Sequence, residues 1–110
     1  MSASITRSSG NVYADLGFKN PEEHALKAEL VRLIATVMSA QGLTQTATAR
    51  RLGIAQPDVS KMLKGHFRQF SVERLLRFLV ALGQSVEIVV RTASAAEVKA
   101  AARLTVTSMS

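Results

Sequence analysis

The stretch LTQTATARRLGIAQPDVSKMLKG, residues 43–65, decides the fold of this 110-residue chain. It contains the boundary signals of two short helices. Thr44 predicts the N-cap of the first short helix, and Gly53 predicts a left-handed residue at its end. For the second short helix, Gln56 is expected at or next to the N-cap and Pro57 in the first helical position, and the helix is expected to end before the final glycine of the stretch. The sequence therefore predicts two helices of about two turns each, joined by a tight turn.

Small and apolar residues in this stretch occur where the two helices must pack. Ala49 is small at the point of closest approach, Leu52 closes the inside of the turn, and Ile54 and Val59 fill the core beneath it. With these positions inside, the second short helix has an outward face of mostly polar residues: Gln56, Pro57, Asp58, Ser60, Lys61 and Lys64. We interpret this face as a surface that recognises a ligand.

Longer helices are predicted on both sides of the stretch. Asn20 is the expected N-cap of a helix that has Pro21 in its first position, carries an apolar stripe and ends near Gln41. Ser71 is the expected cap of a last helix whose stripe ends before Gly83. The predicted fold class is mainly α, with four helices and a fifth if Ala95–Arg103 is helical. Because aromatic residues make up only 5% of the chain, the core is expected to be aliphatic.

The segment Ser85–Arg91 is rich in β-branched residues and predicts the one clear strand. A single strand is not stable alone, so it must pair with another. Its partner is either the segment Asn11–Phe18, which reads equally as a strand or a turn, or its own copy across a two-fold axis. We favour the copy, which predicts a homodimer through five residues: Val86, Glu87, Ile88, Val89 and Val90. The expected organisation is an N-terminal arm (1–20), one domain (21–91) and a C-terminal tail (92–110).

The charge of the chain is concentrated. Its formal net charge is +6, and residues 50–77 alone carry seven basic and two acidic residues, a balance of +5. This favours a polyanionic partner. The chain has no cysteine, and we see neither an apolar run of roughly 20 residues nor a signal peptide, so we expect a cytoplasmic protein that does not contact membranes.

The sequence gives little support for catalysis or for metal binding. No nucleophile, base and orienting residue stand in a familiar spacing, and the glycines read as helix caps. His24 and His66 are isolated from other metal ligands. We therefore expect neither an enzyme nor a cofactor.

Four positions in the 43–65 stretch resemble the phage-repressor and Cro family of helix-turn-helix regulators, the XRE family: Gln45, Ala49, Gly53 and Val59. The resemblance spans about residues 22–82. The words NVYADLGFKNPEE, FSVERLLRFL and LGQSVEIVVR are further similar to a subgroup of HigA-type antitoxins and stand-alone regulators. The chain departs from the family at Thr46 and Thr48, where an acidic and a bulkier apolar residue are common. The resemblance implies a lambda-repressor-like domain that binds double-stranded DNA, at the nucleoid.

The family mechanism implies that the second short helix enters the major groove while the first crosses the backbone. Gln56 can then pair with adenine and Lys61 can donate to guanine, while Ser60 is permissive. Asp58 either accepts from a cytosine amino group or only stabilises the helix N-terminus. Five residues suit phosphate contacts: Thr44, Gln45, Lys64, His66 and Arg68. Four arginines are interpreted as a solvated helix face: Arg50, Arg51, Arg74 and Arg77.

Two functions remain open at this point. The first is a homodimeric repressor on a palindromic operator whose half-sites lie about 34 Å apart. The second is an antitoxin, in which residues 1–20 or 92–110 fold against a small RelE-like toxin and the protein also represses its own operon. RNA binding is less favoured because the basic residues have no exposed aromatic platform beside them.

Overall fold

The computed structural model describes residues 20–96, which contain four helices. They are α1 (Asn20–Gln41), α2 (Gln45–Leu52), α3 (Gln56–Leu63) and α4 (Val72–Ala81). The predicted mainly helical class is confirmed. The segment Asn11–Phe18 and most of the candidate fifth helix lie outside the described residues, as do the arm before residue 20 and the tail beyond residue 96. Residue 20, predicted as a cap, is already the first residue of α1.

The long helix α1 packs against α4 and α3, and the short α2 packs against α3 and α4. The apolar stripe of α1 faces this core, where Ile34 is fully buried. From the rest of the described chain, five residues have no exposed surface: Thr48, Val59, Met62, Leu75 and Leu82, which directly follows α4. Because Val59 and Met62 lie on the inner side of α3, the opposite side of that helix must face solvent.

The core is not wholly aliphatic, contrary to the sequence-based expectation. Phe67, Phe70 and Phe78 are all buried, and the rings of Phe70 and Phe78 meet edge to face with centroids 5.4 Å apart. The connection between α3 and α4, predicted to be polar, turns two of these rings inward. Three phenylalanines are few in the composition, but each covers a large apolar area, so they dominate the packing beneath this connection.

Apart from residue 20, the helix boundaries follow the predicted caps with one exception. The Thr44 hydroxyl accepts the Ala47 N–H at 3.0 Å, and Gly53 ends α2 with φ +70°. In α3 the N-cap is Ala55, which makes no side-chain cap hydrogen bond, so Pro57 is the second helical residue and not the first. Proline tolerates either position because the first turn leaves its N–H groups without helical partners.

The predicted strand Ser85–Arg91 is not formed in this single chain. Residues 84–94 have no regular secondary structure, and four of their apolar side chains are between 36% and 59% exposed: Val86, Ile88, Val89 and Val90. A strand needs a neighbouring backbone to complete its hydrogen bonds, and the described part of one chain provides none.

Ser71 provides a direct test of the capping argument. Its hydroxyl accepts the Arg74 N–H at 3.1 Å at the start of α4. Ser71→Ala removes that acceptor and is expected to lower the free energy of unfolding by about 1 kcal/mol. Urea titration followed by circular dichroism measures the change. Ser71→Asp keeps an acceptor at the cap and should unfold close to the wild type, and equal losses in both variants would contradict the argument.

Candidate nucleic-acid interface

Helix α3 presents its predicted outward face to solvent. Gln56, Pro57 and Lys61 are exposed, whereas Asp58 and Ser60 are half-buried at the margin of the core. On the opposite side of α3, Val59 and Met62 are completely buried. Ala49 of α2, which packs against α3, is buried as well. The turn is closed by the Ile54 N–H, which donates to the Ala49 carbonyl at 3.1 Å. The rotation of α3 about its axis is therefore fixed by packing.

A hydrogen bond joins the first residues of the two short helices. Nε2 of Gln56 donates to Oε1 of Gln45 at 2.8 Å. Both residues were predicted to belong to the site, but their spacing in the sequence does not indicate this bond. It uses only one of the two Nε2 hydrogens of Gln56, so the other hydrogen and the Oε1 acceptor remain for a ligand. An acceptor and a donor on one planar amide are what an adenine edge requires in the major groove.

The amino end of α2 is held by two threonines. Thr44 is exposed, and its hydroxyl caps the helix as described above. Thr48 is fully buried, and its hydroxyl donates to the Thr44 carbonyl at 2.8 Å. Thr48, a departure from the family pattern, is therefore accommodated with its polar atom hydrogen-bonded.

The connection after α3, residues 64–71, carries the remaining predicted phosphate ligands. Lys64, His66 and Arg68 are exposed, while Phe67 and Phe70 anchor the connection in the core. Its start is bound to α3, because the His66 N–H donates to the Lys61 carbonyl at 2.9 Å. The start of the connection, with Lys64 and His66, therefore lies beside the last turn of α3.

Three of the four arginines interpreted as a solvated face have partners within the domain. Arg51 donates to Oε1 of Gln41 at 3.0 Å, and Arg77 pairs with Glu73 at 2.8 Å. The guanidinium of Arg74 lies over the rings of Phe70 and Phe78, 5.1 and 5.5 Å from their centroids. Among the described residues, by contrast, no ion pair involves the three cations of α3 and the connection: Lys61, Lys64 and Arg68.

The described residues were also compared with the requirements of a metal site and of a membrane-spanning helix. Within residues 20–96, no group of three histidine, aspartate or glutamate side chains is arranged to hold a metal ion. None of the described helices combines the length and the hydropathy that crossing a bilayer requires.

Comparison with known proteins agrees with this geometry. The family described as "Helix-turn-helix domain" matches residues 12–91, which is more than half of the chain. The chain therefore belongs to the helix-turn-helix family, a class of DNA-binding transcription regulators.

A solved structure described as an XRE family transcriptional regulator shares 41% sequence identity with the chain, with a TM-score of 0.76. The match covers 83% of this chain and 100% of that one. The chain is thus a helix-turn-helix protein of the XRE type. No match is found among curated proteins. The narrower resemblance to HigA-type antitoxins stays a prediction.

Proposed function

We propose that the protein is a homodimeric transcriptional repressor that binds a palindromic operator through α3. The observation that carries the proposal is the orientation of this helix. Val59 and Met62 fix its inner side in the core, while Gln56 and Lys61 stand exposed on the other side. A helix presented in this way fits the major groove of B-DNA, with its amino-terminal residues toward the base edges.

The base contacts follow from the chemistry of the exposed face. Gln56, oriented by its bond to Gln45, pairs with an adenine, and Lys61 donates to a guanine. Ser60 fills the space between them. Pro57 contributes apolar contact, and Asp58 either accepts from a cytosine amino group or stabilises the positive end of the α3 dipole.

Phosphate contacts flank these base contacts on both sides. Thr44 and the Nε2 hydrogens of Gln45, whose Oε1 accepts from Gln56, face one strand from the start of α2. Lys64, His66 and Arg68 bind the other strand from the connection after α3. These contacts give affinity and register, whereas the α3 side chains give sequence preference.

Dimerisation uses the segment Ser85–Arg91, which pairs with its own copy as an antiparallel strand. Its charges favour one register. With Val89 on the two-fold axis, Glu87 lies opposite Arg91 of the partner subunit, and Ile88 lies opposite Val90 of the partner subunit. This register places opposite charges beside each other, and Ile88, Val89 and Val90 gain apolar neighbours across the strand pair.

Selection of bound duplexes from a random pool tests the function and its symmetry together. The expected result is an enriched palindrome whose half-site centres are about one helical turn apart. Lys64 and Arg68 from two protomers make four charged phosphate contacts, so log K should fall against log salt with a slope of about −3.6. A shuffled duplex of the same composition is the control. Equal affinity for the selected and shuffled duplexes would refute the proposal.

The antitoxin role is the second candidate, and it is compatible with the first. It is favoured by the similarity of residues 82–91 to the antitoxin subgroup, and the toxin contact is expected from residues 1–20 or 92–110. The test is to express the chain with the product of the adjacent gene. A RelE-like protein that copurifies in a fixed ratio, and whose ribonuclease activity the chain suppresses, would support the role.

A further inference from the structure

Lys27 of α1 makes two polar contacts although its side chain is only 11% exposed. Its ammonium donates to the backbone carbonyl of Arg68 at 3.3 Å and pairs with Oε1 of Glu23 at 3.4 Å. The aliphatic stem of Lys27 is buried, whereas the hydrogen bond that its ammonium donates to Arg68 is exposed to solvent. Lys27 is therefore a fixed contact between α1 and the α3–α4 connection, unlike a lysine that moves freely in solvent.

A second contact between the same elements lies one turn earlier on α1. The ring of His24 stacks on Phe67 with centroids 4.9 Å apart and planes inclined by 25°. Phe67 is only 5% exposed, and it directly precedes Arg68. The first turns of α1 thus hold two consecutive residues of the connection, one through its ring and the other through its carbonyl oxygen.

We propose that Lys27 is a positioning residue for DNA binding, which holds the α3–α4 connection in the conformation that directs Arg68 and His66 toward phosphate. The inference rests on the proposed function of that connection. A connection that is ordered before binding loses less conformational entropy on the DNA than a mobile one. The role assigned to Lys27 is indirect, because both of the polar contacts described here for its ammonium are to protein atoms.

The first arm of the test needs no DNA. Lys27→Met removes the ammonium and keeps an apolar stem, and Arg32→Met is the matched control. Arg32 is an exposed cation of the same helix whose partner is Glu29, so the two variants lose the same charge. In Lys27→Met, the His66 and Phe70 amides, which bond to carbonyls within or beside the connection, should exchange hydrogen about tenfold faster. The capped Ala47 amide of α2 should keep its rate, and Arg32→Met should change none of the three.

The second arm measures binding to the duplex selected by the wild type and to its shuffled form. Lys27→Met should weaken both by a similar factor of about ten, and it should reduce the salt slope by about 2, as loss of one phosphate contact in each protomer requires. Arg68→Met should do the same. The double variant should bind no more weakly than Arg68→Met alone, because Lys27 acts through Arg68.

The outcomes separate the two claims. If the wild type prefers no duplex, the proposed function fails, and the exchange rates still judge the contact made by Lys27. If the wild type prefers its duplex but Lys27→Met matches Arg32→Met, or if the losses of Lys27→Met and Arg68→Met multiply, the positioning role is overturned. Should Lys27→Met not fold, Lys27→Gln, which keeps a shorter polar head, is expected to shift the exchange rates and the salt slope in the same direction.

Discussion

Gln56→Ala should abolish the preference for adenine at one position of each half-site and weaken operator binding about 30-fold or more. A bidentate contact between an amide and adenine contributes about 1–3 kcal/mol of discrimination, and a dimer loses two of them. The effect is expected to be large because the bond to Gln45 already holds the Gln56 amide in one orientation, so little ordering is needed when DNA binds. Repeated selection with the variant measures the change position by position.

The control for this prediction is Gln69→Ala. Gln69 is an exposed glutamine on the α3–α4 connection and is not among the predicted contacts, so its loss should leave the selected sequence unchanged. Gln45→Ala should give an intermediate result, because it frees the Gln56 side chain without removing it. If Gln56→Ala selects the same palindrome as the wild type with undiminished preference for adenine, Gln56 does not read the bases.

The helix pair could be predicted because its signals are local. A threonine hydroxyl that caps α2 and a glycine that ends it act within a few residues of their own positions, and both are found where the sequence places them. The outward face of α3 followed from the buried Val59 and its helical spacing. The start of α3 was misplaced by one residue, since proline is tolerated at more than one position of a first turn and alanine serves as the cap.

What the sequence could not reveal depends on contacts between distant residues. Gln45 and Gln56 are eleven positions apart, and Lys27 and Arg68 are 41 apart. No periodic pattern records such pairs. The aromatic core was missed for a related reason, since whether Phe67 in a polar connection turns inward depends on the space left by α1 and α4. Helical faces are encoded locally, whereas side-chain partners across the core arise only from packing.

The strand predicted for the segment Ser85–Arg91 differs from the helices, because it can form only with a second chain as its neighbour. In the described single chain its apolar residues are exposed, and removing such side chains from water is favourable. Pairing with its own copy would give them apolar neighbours across the strand pair and complete the backbone hydrogen bonds between the two strands. In the proposed dimer this pairing would also set the distance between the two α3 helices, and with it the spacing of the operator half-sites.

Val89→Asp should therefore convert the dimer to a monomer and weaken operator binding by about 100-fold or more. With Val89 on the two-fold axis, the substitution places two carboxylates directly opposite each other at the centre of the strand pair, where like charges are destabilising. A monomer keeps only one set of base and phosphate contacts and loses the gain in effective concentration that the second half-site provides. Analytical ultracentrifugation gives the oligomeric state, and titration of the selected duplex gives the affinity.

Val80→Asp is the matched control for Val89→Asp. Val80 is 57% exposed on α4 and Val89 is 59% exposed, so both variants introduce the same carboxylate at an equally accessible valine. Val80→Asp should remain a dimer with close to wild-type affinity. A Val89→Asp protein that sediments as a dimer would contradict the strand pairing, and dissociation of both variants would assign the interface to a surface that includes α4. A strand pair centred on Val89 is supported only if Val89→Asp loses the dimer and Val80→Asp keeps it. The reason is that two identical charges repel most strongly beside the symmetry axis, where the two copies of a residue are closest to each other.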